Sequence, residues 1–168
     1  MSSLSRKSLI SKIRSGESLR GINLTDCDLS NANLYRVDLS GVDLSGSSLA
    51  DCNLRESSLR ETNLSGCDLS RVDLRGSDVM RGDFSNSKIR GADFRLADLR
   101  GADFSGSNLR RANFSGAKLV NANFSGCNIQ KTDFMGADLS DSNMSGTEWE
   151  ETYFVGANLT GATLPDTK

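Results

Sequence analysis

Apolar side chains recur at every fifth position from Leu19 to Leu164, in one unbroken register. The series runs through Leu24, Leu29, Leu34 and Leu39, passes Phe84, Ile89, Phe94, Leu99 and Phe104, and closes on Phe154, Leu159 and Leu164. Two places before each anchor stands a small residue, as at Ala92, Ala97, Ala102 and Ala112, and Asp or Asn usually fills the place between. A period of five is neither the helical 3.6 nor the strand 2.0. Anchors at that spacing stay on one side of the chain only if each unit turns a corner and supplies one short side of a wide coil.

Stretches such as "GADF", "LADL" and "RANF" follow the motif A-(D/N)-(L/F)-(S/R)-(G/x). This motif resembles the pentapeptide-repeat family, and the resemblance covers about residues 17 to 166. It implies an all-β fold, a right-handed quadrilateral β-helix with four units per coil and with anchor and small residue pointing inward. Residues twenty apart then stack, and coils about 4.8 Å apart make a rod of roughly 35 Å from about 7.5 coils. Phe84, Phe104 and Phe124 form one such stack, and Phe94, Phe114, Phe134 and Phe154 form another on the opposite wall. Leu or Ile fills the walls between, a mixture that packs a square lumen without four rings colliding. The amino-terminal half uses Leu almost throughout and is expected to be narrower or differently turned.

The chain divides into a capping helix over residues 1–16, the repeat array over 17–166 and a tail at 167–168. Leu9, Ile10 and Ile13 share one face at helical spacing, Lys12 and Arg14 sit in the last turn, and Gly16 stops the helix. This segment resembles the helical lead-in of bacterial, particularly cyanobacterial, members of the family, and would cover an otherwise open sheet edge. Its basic charge also suits a membrane anchor, but it is short and Ser-rich with a single apolar stripe. No continuous apolar run marks a signal peptide or a membrane span. No membrane association is expected, and the protein should be soluble and cytoplasmic. Pro165, which has no N–H for a ladder, follows the last anchor.

Little of the sequence is free to carry chemistry. The chain has no His, which removes the usual general base and the commonest metal ligand. Cys27, Cys52, Cys67 and Cys127 all occupy the small inward place, where Cys acts as a small hydrophobe. Cys27, Cys67 and Cys127 share a wall but lie two and three coils apart, beyond disulfide reach at about 4.8 Å per coil. The repeated Asp just before the anchor is positioned to accept turn N–H bonds, as Asn does in neighbouring units. Glycines follow the anchor where a tight turn favours them, and none belongs to a phosphate-binding loop. An enzyme is not expected, and no cofactor or metal is implied.

The outer surface therefore carries the functional candidates. Formal net charge is −2. A first wall, on Leu24 through Phe124 and Met144, presents Asp26, Asp43, Asp83 and Asp103, with Asp166 near its end and no outward Lys or Arg. The second carries Arg71, Lys88, Arg90, Arg110, Arg111 and Lys131, then Glu148, Glu150 and Glu151. The third stacks Arg55, Arg75 and Arg95 beside Asp73 and Asp93. The fourth mixes Asp78, Asp98 and Asp138 with Arg60, Arg81 and Arg100. Some pentapeptide-repeat proteins look like duplex DNA and inhibit or protect DNA gyrase, which here would use the acidic wall. The small net charge fits that poorly, and the chain lacks the interrupting loops and carboxy-terminal extension of gyrase-directed members. Nucleic acid is not an expected partner, since no aromatics interleave the basic walls. The favoured expectation is a scaffold with an unknown protein partner. Its contact, or a homodimer through the carboxy-terminal coils, would use outward apolar residues: Met135, Tyr153 and Val155, with Leu96 nearer the middle. Trp149 stands at an anchor place and would close the end of the array.

Overall fold

The computed structural model describes residues 5–19 and 22–165. Parallel bridges join residues twenty apart, from Asp28–Ser48 to Asn143–Thr163, so the array is a β-helix of stacked coils. Each side contributes a single bridged residue, and no longer strand forms among the described residues. A corner follows each anchor. The small residue of the next unit donates its N–H to the anchor carbonyl, as Ala32 does to Leu29 at 3.1 Å. The residue two after the anchor takes positive φ at every corner from Asp26 to Gly161, which is the requirement of a type II turn.

The backbone amides of each unit are almost fully paired, as they must be where the chain is buried. The anchor N–H donates to the next coil, as Leu29 does to the Ser48 carbonyl at 2.8 Å. The residue before the anchor donates to the preceding coil, as Ser48 does to Cys27 at 2.9 Å, and the corner residue to the next, as Asn31 does to Ala50 at 2.8 Å. Only the amide just after the anchor lacks a backbone acceptor. The Asp or Asn before the anchor supplies it: Ser30 N–H donates to Asp28 Oδ1 at 2.9 Å, Ser85 to Asp83 at 2.9 Å and Ser115 to Asn113 at 2.8 Å. The repeated Asp is thus a turn acceptor in the way its placement predicts.

Glycine proves unnecessary at many corners. Asp, Asn, Arg, Glu and Lys adopt φ near +55 to +63° there, and so does Leu96 at +61°. The Leu-rich half turns its corners with the same positive φ as the Phe-rich half, so the expected change of turn does not occur.

Inside, the Phe side chains form a herringbone. Phe94 and Phe114 stack at 4.7 Å, and Phe114 and Phe134 at 5.1 Å. Rings of the other column meet these edge-on, Phe104 to Phe114 at 5.5 Å and Phe114 to Phe124 at 5.9 Å. Both geometries suit the ring quadrupole. Small inward residues with a hydroxyl or thiol donate to anchor carbonyls of the preceding coil: Ser107 to Phe84 at 2.7 Å, Thr132 to Leu109 at 2.9 Å and Cys67 to Leu44 at 3.1 Å. All four cysteines are free, with Cys27 half-buried and the others buried. Burial pushes the thiols of Cys52 and Cys67 up to about 11 and that of Cys127 up to about 12.

Helix α1, Arg6–Arg14, lies over the first coil. Ser5 caps it by accepting the Ser8 N–H, and Gly16 leaves it at φ +71°. Leu9 and Ile13 are buried in the same core as the anchors. The Arg6 guanidinium donates to the carbonyls of Asp28 and Ser30. At the other end Trp149, Phe154 and Leu159 are half-buried, and Trp149 tilts against Phe154 at 6.4 Å. Residues 1–4 of the expected capping segment, Asp166 and the 167–168 tail lie outside the described residues.

Two outcomes follow from this core. Phe114→Ala should cost about 3–5 kcal/mol, read from urea unfolding, and Phe114→Leu less, since Leu serves as anchor in other coils; equal losses would discount the ring lattice. Thiol titration of the native protein near neutral pH should modify Cys27 first, with Cys52, Cys67 and Cys127 reacting only on denaturation, because their raised pKa values leave almost no thiolate.

Candidate functional site

Three places per unit face outward: the one before the anchor, the one after it and the corner. Side chains at the same place on successive coils form vertical columns, and the walls differ in what these columns carry.

On the third wall the place after the anchor reads Tyr35, Arg55, Arg75, Arg95, Ser115, Met135, Val155. Arg75 pairs with Asp73 at 2.5 Å and reaches Asp93 at 3.5 Å; Arg95 pairs with Asp93 at 2.7 Å. Desolvation is the largest single influence on Asp73 and opposes its ionisation, but the side-chain and backbone hydrogen bonds from Arg75 and the charges of Arg75 and Arg55 together hold the carboxyl below its ordinary range. Met135 and Val155 stand one coil apart and are 50% and 70% exposed, with Tyr153 beside them at 54%. Tyr153 occupies the place before the anchor, where most units keep Asp or Asn. Leu96, 75% exposed, stands two coils lower, at a corner. It borders a groove of about 610 Å³ lined by Arg55, Arg75, Gly76, Arg95 and Gly116. A Cβ on Gly116 would lie 2.9 Å from Leu96 Cδ2, so that glycine makes room for the side chain. The structure thus brings Met135, Tyr153 and Val155 together and sets Leu96 among the arginines.

On the first wall Asp26, Asp43, Asp83 and Asp103 form no ion pair with a described residue. Asp43, Asp83 and Asp103 accept the amides of Ser45, Ser85 and Ser105. The Ser45 backbone amide, aided by its hydroxyl, holds the Asp43 carboxyl below its ordinary range. Asp26 is different: it is an exposed corner residue at φ +54°.

The second wall is divided by charge. Arg71 is neutralised by Asp51 at 2.5 Å and Lys131 by Glu151 at 3.1 Å. Between them Lys88, Arg90, Arg110 and Arg111 have no carboxylate of a described residue within ion-pair reach, and Arg110 Nε is buried without an acceptor among the described residues. Above, the carboxylates of Glu148 and Glu150 accept the side-chain amides of Asn128 and Gln130 and form no ion pair with a described residue. The fourth wall is internally paired, Arg60 with Asp78 at 3.1 Å, Arg100 with Asp98 at 2.7 Å and Arg81 with Glu61 at 3.0 Å.

Two exposed apolar residues escaped the reading of outward positions. Tyr35 heads the third-wall column, its ring under the Arg36 guanidinium at 4.9 Å and its hydroxyl on Glu56; its place in the Met135 column was the available signal. Leu164 is an anchor by register yet 46% exposed. Among the described residues, no group of His, Cys, Asp or Glu is arranged to hold a metal, and no helix is long and apolar enough to cross a membrane.

Comparison with known proteins gives these columns a lineage. A family model of pentapeptide repeats matches in 8 copies, over residues 16–46, 38–76, 47–86, 83–116, 107–146 and 132–168. Among solved structures, trypsin-treated QnrB1, a plasmid-mediated fluoroquinolone resistance protein, is 26% identical over 86% of this chain and 85% of its own, with a TM-score of 0.47. HetL, a pentapeptide repeat protein involved in heterocyst differentiation regulation in the cyanobacterium Nostoc, is 23% identical over 95% and 92%, with a TM-score of 0.30. The Nostoc pentapeptide repeat protein alr5209 is 37% identical over 60% and 69%, with a TM-score of 0.24. A search of curated proteins found no match. With the motif, the twenty-residue bridges and the family match in agreement, the chain belongs to the pentapeptide-repeat family.

Proposed function

We propose that the chain is a non-catalytic protein-interaction scaffold whose partner docks on the carboxy-terminal coils of the third wall, with a homodimer through these coils as the simplest form. The observation that carries this reading is Tyr153. It stands where the turn usually has its Asp or Asn acceptor, and it places an aromatic ring on the surface instead. Beside it Met135 and Val155 replace the Ser or Arg found lower in their column, making a local apolar patch of the kind that marks interaction sites. We take the coil to be right-handed and four-sided, a course that presents this wall as one flat face, and we assign the protein to the cytoplasm, where buried reduced thiols are stable.

A second reading rests on the first wall, whose carboxylates form no ion pair among the described residues. In that reading the acidic wall mimics duplex DNA and modulates DNA gyrase.

Met135→Ser combined with Val155→Ser should shift the protein to monomer, or abolish capture of its partner, while the thermal transition is kept; an unchanged mass and partner set for the double variant would remove the scaffold contact from this wall. Titration into a gyrase supercoiling assay, with and without a fluoroquinolone, tests the other reading. Inhibition or drug relief at micromolar protein that is lost on reversing Asp43, Asp83 and Asp103 would establish the acidic wall as the working surface, and no effect at tens of micromolar would dismiss it.

A further inference from the structure

We propose that the second wall is a self-complementary charged surface on which a second copy of this chain docks antiparallel. Lys88, Arg90, Arg110 and Arg111 form a block of cations on two adjacent coils, none of them ion-paired with a described residue. Two coils above Arg110, on the same columns, Glu148 and Glu150 form a block of carboxylates whose side-chain partners among the described residues are the neutral amides of Asn128 and Gln130. The rung between carries Asn128 and Gln130, which are uncharged, and Lys131, which Glu151 already neutralises.

A two-fold axis lying in the interface along the Asn128–Gln130 rung maps each column onto the same column of the other copy, with coil order reversed. Arg110 of one copy then faces Glu150 of the other. Arg111 faces Glu151, and Glu148 comes within diagonal reach of Lys88, with all three contacts made twice by symmetry. Pairing the rods over their full length would instead lay cation on cation, so charge alone selects the staggered register. Two further features favour a bounded protein partner over nucleic acid. The cationic block spans about two coils, roughly 10 Å at the usual strand spacing, and carboxylates follow it at both ends, Asp68 below and Glu148 above. A phosphate backbone running on in either direction would meet repulsion. Lys88 and Glu148 also displace the Asp or Asn turn acceptor, so these charges stand at the expense of a local hydrogen bond.

The contact uses a different wall from the Met135–Val155 patch and stands whether or not that patch is an interface. It is tested by sedimentation of the purified chain while salt is raised from about 0.01 M to about 1 M, which shortens the Debye length from about 30 Å to about 3 Å. The expected result is a concentration-dependent dimer at low salt that dissociates at high salt. Arg110→Glu with Arg111→Glu should be monomeric, as should Glu150→Arg with Glu151→Arg. An equimolar mixture of the two variants should recover a heterodimer, because each then offers the charge that the other lacks. The substitutions respect the fold, since Glu61 and Glu151 already occupy the same corner place as Arg111, and Arg36 and Arg71 that of Glu151. A wild-type chain that stays monomeric at low salt overturns the proposal. So does a dimer indifferent to both reversals, and its loss in the Met135→Ser, Val155→Ser variant would assign the contact to the third wall instead.

Discussion

One backbone amide in five governs this molecule. Of the amides in each unit, four find carbonyls through the turn and the two neighbouring coils, and the one after the anchor does not. An Asp or Asn two residues earlier is short enough to close on it and keeps one oxygen in reach, whereas Ser58 in the same place bonds the Ser40 hydroxyl instead. The unit length follows. Adding or removing a residue would displace the acceptor, the anchor and the corner together, and a register error in a bridged ladder moves every inward side chain outward. The absence of any insertion across the array is the sequence trace of that coupling.

Because the interior closes on itself, stability is distributed coil by coil. Anchors stack on anchors, and most Ser, Thr and Cys at the small inward place bind an anchor carbonyl, of the coil before as at Ser107, Thr132 and Cys67 or of their own coil as at Ser77 and Thr147, while Ser142 Oγ is buried without a partner among the described residues. The corners show the same vertical logic in charge: Arg36 with Glu56, Arg71 with Asp51, Arg81 with Glu61 and Lys131 with Glu151 are all twenty residues apart. Exposed pairs of this kind contribute about 0–1 kcal/mol each. They neutralise the surface more than they hold it, which makes the unneutralised columns the informative ones.

Much of this was legible before any coordinates, because the repeat maps a linear period onto a wall. The anchors, the inward cysteines, the turn role of Asp28 and its counterparts, the Phe columns and the helix ending at Gly16 all depend on spacing alone. What spacing could not supply was backbone conformation and side-chain reach. Arg36, Glu56 and Leu96 take positive φ at corners of the kind that glycine favours, since the coil over-determines the turn and imposes a conformation costing roughly 1–2 kcal/mol per residue. Nor could spacing separate Leu96 from Met135, Tyr153 and Val155: they share a wall, but two coils and the Arg75–Asp73 and Arg95–Asp93 pairs decide what each one touches. Tyr35 was overlooked because a residue beside Asn33 reads as loop polarity until its column is drawn.

The same turn acceptor helps rank the surfaces. Asp43, Asp83 and Asp103 are needed where they are, each closing the amide of a serine that follows its anchor. Their acidity is therefore explained by the fold, and a wall of such residues becomes acidic or neutral according to how many units use Asp instead of Asn. Lys88, Glu148 and Tyr153 have the opposite status. Each stands in the acceptor's place, cannot do the acceptor's work in the structure, and projects charge or an aromatic ring to solvent. The rule is left on every wall, at Ser48, Ser58, Lys118 and Thr163 as well, but only at Lys88, Lys118, Glu148 and Tyr153 does a charge or a ring take the acceptor's place. By that measure the acidity of the first wall follows from the turn, whereas the charges at Lys88, Lys118 and Glu148 and the ring of Tyr153 do not.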